Sequence, residues 1–115
     1  MYFYVIKNIG SLGFGITGDY QKRAQDYVSH SGPGCHAHFP YVFTGHRPHV
    51  KKLEQLIKTQ WVDRTWITRD GWKTEWLKEE EELDTFISDI MDAIKERHLK
   101  VEVFRKDYDF LTSVD

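Results

Sequence analysis

The residues of this chain that could do chemistry fall into two groups, and the first combines a permanent cation with proton-transferring and carboxylate side chains. It consists of Tyr4, Arg23, Tyr27, His36 and Glu54. An arginine guanidinium stays charged at physiological pH, and its planar fork can hold phosphate oxygens. Tyrosine and histidine can transfer protons, and a carboxylate can hold a hard divalent cation. This group would suit the binding of a phosphate group with proton transfer beside it.

The second group is a histidine-rich middle that holds five of the six histidines. They are His30, His36, His38, His46 and His49. His36 and His38 would share one face of a strand with Cys35 nearby, and zinc prefers imidazole and thiolate ligands. The spacing fits no closed structural zinc pattern of the Cys-x-x-Cys type, so surface or polar-core histidines are the alternative.

A hairpin and a helix would position Tyr4 and Arg23. Residues 2–7 alternate and are rich in aromatic and β-branched side chains, and residues 12–17 return as a second strand after turn-type residues. Asp19 then precedes good helix formers with one apolar face, which predicts a helix over residues 20–29 with Asp19 as its N-cap. Arg23 would lie one turn into this helix, back toward the hairpin.

The rest of the chain completes the predicted fold. We predict a loop over residues 31–37, a strand over 38–44, a helix over 48–60, a hairpin or irregular loop over 61–72, a helix over 74–97 and a strand over 100–105. Pro40 favours an edge position for the third strand, because proline has no N–H to donate to a ladder. The predicted fold class is α+β, a small three-stranded antiparallel sheet flanked by helices, with an additional C-terminal helix and strand.

Composition indicates a single domain of 115 residues with a net charge of −2. The one cysteine, Cys35, has no internal disulfide partner, and no leader or apolar run of membrane-spanning length is present. We therefore expect a cytoplasmic protein. Because the net charge is negative, any site for a polyanion must be a local basic patch.

Six short motifs follow one another along residues 2–76. They are Tyr2-Phe3-Tyr4, Gly13-Phe14-Gly15, the pair Lys22-Arg23, Gly34-Cys35-His36, the helical segment 50–57 and Thr74-Glu75-Trp76. Their order and separation resemble the GIY-YIG nuclease superfamily, in which a hairpin with two signature tripeptides leads into a helix with an arginine. The similarity is to a phage-type branch whose second signature is often degenerate. Here Gly13 stands where the second tripeptide has its tyrosine.

The resemblance implies a DNA endonuclease that hydrolyses phosphodiester bonds with Mg²⁺ or Mn²⁺, in the host cytoplasm if the chain is encoded by a phage. In this interpretation Tyr4, Arg23, Tyr27 and His36 are catalytic, and Glu54 holds the metal. A single Mg²⁺ that keeps several waters can be held by one carboxylate.

Contacts to DNA are predicted from the local charge pattern. Basic residues concentrate in the segments around the proposed site, whereas acidic residues concentrate in the last helix. The predicted substrate-binding residues are Lys7, Lys22 and Lys51, together with Gly15, which would let the substrate come close.

Two alternatives stay open at the level of sequence. Because the second signature tyrosine is missing, the chain could be a catalytically degenerate GIY-YIG fold that binds DNA or a protein. The long apolar stripe of the last predicted helix could pack on the same core or form a homodimer interface.

Overall fold

The computed structural model describes residues 1–8, 11–31, 36–61, 65–66, 75–77 and 83–111. Its elements are β1 (Tyr2–Asn8), β2 (Ser11–Thr17), α1 (Tyr20–Ser31), β3 (His36–Gly45), α2 (Arg47–Gln60), β4 (Thr65–Trp66), β5 (Glu75–Leu77), α3 (Leu83–Glu96) and β6 (Val101–Leu111). In this part of the chain the strands form one sheet in the order β4-β5-β2-β1-β3-β6, and neighbouring strands are antiparallel. The α+β class is confirmed. The predicted three-stranded unit is β2-β1-β3, at the centre of a sheet that three further strands extend.

The central strand β1 is apolar on both faces, so the sheet carries a hydrophobic core on each side. Successive side chains of a strand point to opposite faces. Phe3 and Val5 belong to one core, and Tyr4 and Ile6 belong to the other. The α1 face of the sheet is defined by Tyr4, Ile6, Phe39 and Val42, on which Tyr20 and Ala24 of α1 pack.

The opposite side, the α2/α3 face, is covered by the other two helices. Its core joins Phe3, Val5, Phe14 and Phe43 of the sheet with Val50, Leu53 and Ile57 of α2 and with Phe86, Ile87 and Ile90 of α3. Most of the apolar stripe of α3 is therefore buried in the core of its own chain, which is the first of the two alternatives given for the last predicted helix. Of this stripe Met91 stays exposed, and the homodimer predicted through it is not supported.

The predicted helix over residues 74–97 is wrong in its first part. Glu75–Leu77 form β5, which pairs with β2 through Gly13↔Trp76 and Phe14↔Glu75 and also pairs with β4. Leu77 is buried in the core of the α2/α3 face. Pairing with an existing sheet edge and the burial of Leu77 outweigh local helix propensity, and α3 begins at Leu83. Within residues 61–72 the structure describes Trp61 and β4, and β4 pairs with β5 beyond that range. The rest of the predicted hairpin or irregular loop lies outside the described residues.

The third strand also differs from its prediction. β3 lies between β1 and β6 and is not an edge strand. The β1–β3 register shifts between Val5 and Lys7, which face Tyr41 and His38, so β3 has an extra residue in the stretch that holds Pro40. A bulge of this kind accommodates a residue that cannot donate to the ladder. His36 is the first residue of β3 rather than part of the predicted loop.

The end of the β3–β6 pair leaves no room for a side chain at Gly45. A Cβ there would lie 2.5 Å from the Lys100 carbonyl oxygen and 3.0 Å from Cγ2 of Val101. We expect Gly45→Ala to lower the free energy of unfolding by about 1–3 kcal/mol, because the contact is with backbone and must be relieved by a shift of β6. Urea unfolding would report it as a lower midpoint at unchanged slope.

Gly18 provides the matched control for that substitution. A Cβ at Gly18 has no atom within 4 Å. Gly18→Ala is expected to stabilise the protein by about 0.4–1 kcal/mol, since it restricts the unfolded chain without a clash. Shifts of equal sign and size for the two variants would contradict the close packing at Gly45.

Candidate nucleic-acid interface

The start of α1 is fixed by a side-chain cap directly after β2. Asp19 Oδ1 accepts hydrogen bonds from the backbone N–H groups of Gln21 and Lys22, each at 3.1 Å. Asp19 is the N-cap that the sequence predicted, and it satisfies two amides that a helix start leaves unpaired. The cap sets the helix on the sheet with Tyr20 and Ala24 buried. Arg23 lies between these two positions in sequence, on the flank of the buried side.

Arg23 carries the clearest chemical signal on this side of the sheet. Its side chain is half-buried, and its Nε is buried without a hydrogen-bond partner among the described residues. A buried donor on a charged group is costly to leave unpaired, typically by about 1–3 kcal/mol or more. An anion could reach this buried Nε only after the side chain shifts. Bound to Nε and to a terminal nitrogen, it would remove that cost in the bidentate way in which guanidinium binds phosphate. Arg23 is therefore well suited to hold an anion.

Tyr4 lies on the same face of the sheet but inside the core. It is fully buried, and its ring centroid is 5.5 Å from that of Phe39. Without contact to solvent, Tyr4 in this conformation can pack and accept or donate hydrogen bonds inside the protein, but it cannot exchange protons with bulk water. Its catalytic role stays a prediction that would require a movement of this core.

The two glycines of β2 lie beside Tyr4 and Ile6. Gly15 is the cross-strand partner of Tyr4, and Gly13 is the partner of Ile6. Cross-strand partners share a face, so both glycines lie on the α1 face. The position directly opposite Tyr4, where a second tyrosine would touch it, is therefore Gly15 rather than Gly13.

Tyr27 and His36 are placed only by their backbones. Tyr27 lies on α1 one turn after Arg23, and His36 lies on β3 opposite Leu111 of β6. Both side chains are outside the described part of the structure. Their proton-transfer roles stay predictions.

Glu54 does not join the other predicted site residues. It lies on α2, and its neighbours Leu53 and Ile57 are buried on the α2/α3 face. The sheet thus separates Glu54 from Tyr4 and Arg23. Its side chain is 16% exposed, and Oε1 lies 3.6 Å from Nζ of Lys58, one helical turn away. The periodic spacing of α2 predicts its buried side but not the face of the sheet on which it packs, so the sequence did not indicate this separation. The role of Glu54 as the metal ligand stays a prediction.

The predicted basic patch is also divided by the sheet. Lys22 is exposed on α1, whereas Lys51 is exposed on α2. Lys7 of β1 is exposed and faces the α2/α3 side, since it alternates with Ile6 and pairs with Leu12 of that core. Only Lys22, of these three lysines, lies on the same side as Arg23.

Arg105 of β6 is a cation on the α1 face that the sequence did not bring to notice. It pairs with Val42, its Nη1 donates to Tyr20 Oη at 3.3 Å, and its guanidinium carbon lies 4.5 Å from the centre of the Tyr108 ring. The last strand was predicted to end at residue 105, but nothing in its pattern indicated that it would pair with β3. Arg23 and Arg105 are thus two cations on the side of the sheet that carries α1.

Comparison with known protein families adds an independent observation. The sequence profile of the T5orf172 domain matches residues 1–92, from β1 into α3. The chain belongs to the T5orf172 domain family. This family is nuclease-associated and GIY-YIG-like. Searches of curated proteins and of solved structures gave no match.

The family match agrees with the coarser part of the sequence-based interpretation. The T5orf172 domain extends beyond the 2–76 segment that carries the resemblance and includes most of α3. This agrees with the burial of Phe86 and Ile90 in the core of the α2/α3 face.

Two of the described histidines, His38 and His49, make contacts other than those of a zinc site. His38 Nδ1 lies 2.6 Å from Asp109 Oδ1, and its Nε2 lies 3.8 Å from Asp107 Oδ1. Nδ1 of His49 accepts a hydrogen bond from the Lys100 amide at 3.2 Å. Within the described residues no three His, Cys, Asp or Glu side chains are grouped to hold a metal ion. The zinc hypothesis therefore has no support in this part of the chain.

Membrane insertion has no structural basis in the helices described. None of α1, α2 and α3 has the length and apolar character needed to cross a bilayer.

Proposed function

We propose that this T5orf172 domain binds DNA through the phosphate backbone, with Arg23 contacting a phosphate on the side of the sheet that α1 covers. The observation that carries the proposal is Nε of Arg23, which is buried and has no hydrogen-bond partner within the part of the chain that the structure describes. A phosphate oxygen supplies both the acceptor that this nitrogen lacks and the negative charge that guanidinium prefers. Membership of a nuclease-associated family makes a nucleic-acid phosphate the appropriate anion.

A second cation supports the same assignment. Arg105 is held on the α1 side of the sheet by Tyr20 and Tyr108. Arg105 would contact a second phosphate of the same polyanion. The two arginines would act locally although the chain has a net charge of −2.

Phosphodiester hydrolysis is the second candidate function, a divalent-metal-dependent DNA endonuclease of the GIY-YIG type. It is favoured by the nuclease-associated family and by the position of Arg23 one turn into the helix that follows the hairpin. Arg23 would hold the non-bridging oxygens of the scissile phosphate, where charge develops in the transition state. Tyr27 and His36 would transfer protons to or from the attacking and leaving oxygens.

The predicted metal ligand, Glu54, lies apart from Arg23, which limits how a metal could serve the second candidate function. Mg²⁺ binding beside Arg23 needs a carboxylate on the same side of the sheet. Glu54 lies on the opposite side and pairs with Lys58. Glu54 could serve as the ligand of Mg²⁺ or Mn²⁺ beside Arg23 only if the substrate and the metal reached both sides of the sheet.

One experiment separates the two functions. Binding of purified protein to a labelled DNA duplex is expected to weaken as salt rises from about 50 to 200 mM, because phosphate contacts release counterions. Plasmid and single-stranded DNA are then incubated with protein in Mg²⁺, Mn²⁺ or EDTA. Salt-independent or undetectable binding would overturn the DNA-binding proposal.

Glu54→Gln is the informative variant in this experiment. Binding is expected to stay within about twofold of wild type, since Glu54 is on the far side of the sheet. If wild type cleaves DNA with metal and not with EDTA, Glu54→Gln should cleave as well. Loss of cleavage in Glu54→Gln with binding intact would contradict the separation of Glu54 from the site. No cleavage by wild type in either metal would exclude the endonuclease and leave the binding module.

A further inference from the structure

Phe104 of β6 is a large aromatic side chain that the fold leaves half in solvent. It is 50% exposed, and the only other exposed large hydrophobic side chain among the described residues is Met91 of α3, at 45%. β6 is the edge strand of the sheet, where exposed apolar groups invite association. An exposed aromatic ring at this position needs an explanation.

Two other rings hold Phe104 in place. Its ring centroid lies 5.4 Å from that of Tyr2 and 5.9 Å from that of Tyr20, with interplanar angles of 59° and 68°. The Tyr2 and Tyr20 rings contact each other at 5.1 Å. Tilted and edge-to-face pairs at these distances are favourable geometries. Phe104 is therefore a supported ring with an open side rather than a loose surface side chain.

A bulge in β6 aims Phe104 at this position. Val42 pairs with Arg105 and Phe43 pairs with Val103, so Phe104 is an extra residue without a cross-strand partner. Bulges re-aim side chains and are common next to functional sites. This one places Phe104 and Arg105 on the same side of the sheet as α1.

Arg105 adds a fixed positive charge next to the ring. Tyr20 contacts both side chains, through its ring to Phe104 and through its hydroxyl to Arg105. β6 also carries three carboxylates. Glu102 pairs with Thr44, the partner of Tyr2, so it lies on the α1 face two residues before Phe104, whereas Asp107 and Asp109 lie beside His38. A flat apolar surface beside a guanidinium complements a nucleotide, whose base has a π face and whose phosphate is an anion. An apolar peptide would match the ring but not the charge.

We infer that Tyr2, Tyr20, Phe104 and Arg105 form a platform on which an unpaired nucleobase stacks against Phe104 while Arg105 contacts its phosphate. The inference rests on the DNA binding proposed above and adds a ligand class to it, single-stranded or locally unpaired nucleic acid. Bases inside a duplex already stack on their neighbours and present only their edges, so the platform discriminates against fully paired DNA.

The test compares a single-stranded oligonucleotide with its duplex, both labelled, by fluorescence anisotropy. Phe104→Ala is expected to weaken single-strand binding about 10-fold, in keeping with loss of one stacked base, and duplex binding by less than about twofold. Phe104→Trp should retain single-strand binding, with its emission quenched by the bound base. Phe104→Leu keeps an apolar side chain but removes the π face, so it should behave as Phe104→Ala does.

Met91→Ala is the matched control, because Met91 is similarly exposed but lies on α3. It should leave binding to both DNA forms unchanged. Circular dichroism on each variant checks that the fold is retained, and a half-exposed side chain is a mild site for substitution.

Three outcomes would overturn the inference. The first is an unchanged affinity of Phe104→Ala for single-stranded DNA. The second is an equal loss of affinity for single-stranded and duplex DNA in that variant, and the third is a wild-type affinity of Phe104→Leu for single-stranded DNA. Concentration-dependent self-association that Phe104→Ala abolishes would assign the ring to a contact between two copies instead. If wild type binds the duplex with the expected salt dependence but Phe104 has no effect, only the platform fails. If wild type binds neither form, the proposed function fails as well.

Discussion

Arg23→Ala is expected to weaken DNA binding about 10- to 100-fold. Charge-assisted hydrogen bonds of guanidinium to phosphate contribute roughly 1.5–3 kcal/mol, and the variant loses all of them. Arg23→Lys should fall between wild type and Arg23→Ala, since an ammonium keeps the charge but cannot reproduce the bidentate fork. Anisotropy titrations at one fixed salt concentration measure both variants.

Lys52→Ala is the control for a general loss of positive charge. Lys52 is exposed on α2, so its removal changes the net charge equally but on the other side of the sheet. We expect at most about a twofold effect on affinity at moderate salt. Similar losses in Arg23→Ala and Lys52→Ala would mean that DNA is held by the overall field rather than by a site at Arg23.

Stability separates a binding role of Arg23 from a structural one. Because Nε of Arg23 is buried and has no partner among the residues that the structure describes, its removal takes away an unsatisfied donor in the free protein. Arg23→Met, which keeps much of the aliphatic packing, should unfold at a midpoint no lower than wild type while it binds DNA as weakly as Arg23→Ala. Binding residues often lower stability in this way. A clear drop in the unfolding midpoint of Arg23→Met would indicate that Arg23 is needed for the fold.

The sequence predicted the local elements of the fold far better than their placement. The strand over residues 2–7, the cap at Asp19 and the apolar stripe of the last helix each reflect interactions between near neighbours in the chain. Each is found in the structure, although β1 is buried on both faces and not on one. β4 and β5 have two and three residues, which is too short for a periodic signal. The charged run after residue 77 consists of good helix formers, and it extended the predicted helix toward its N-terminus beyond α3.

The candidate site was harder to predict because the sheet has two apolar faces. Tyr4 and Phe3 are both buried, one on each side, so the pattern of β1 does not say which side receives α1 or α2. Glu54 and Arg23 both lie on amphipathic helices. The apolar side of each helix could pack equally well on either apolar face of the sheet. The path of the chain through the sheet places α1 and α2 on opposite faces, and helix periodicity does not encode that path. Arg105 was missed for a related reason, since strand pairing across some 60 residues leaves no local trace.

Phe86→Ala is expected to lower the free energy of unfolding by about 3–5 kcal/mol, the largest effect on stability among the substitutions proposed. Phe86 is fully buried, and its ring centroid lies 5.5 Å from that of Phe14 on β2 and 5.1 Å from that of Trp61 after α2. Truncation leaves a cavity between three elements, which cannot all move inward to fill it. Met91→Ala on the same helix is the control, and it should change the unfolding free energy by no more than about 0.5 kcal/mol.

The form of the transition in Phe86→Ala tests whether α3 belongs to the same cooperative unit as the sheet. The family profile ends at residue 92, inside α3, and Phe86 is the residue of α3 whose ring contacts both the sheet and the end of α2. If α3 were an appendage, its loss would give a first transition seen by helical circular dichroism, while Trp fluorescence of the remaining core changed later. Because the ring of Phe86 bridges β2 and Trp61, we expect both signals to change together in one transition at lower urea. Separate transitions would place the boundary of the folding unit before Leu83. They would also mean that the sheet and α2 form a stable core without α3.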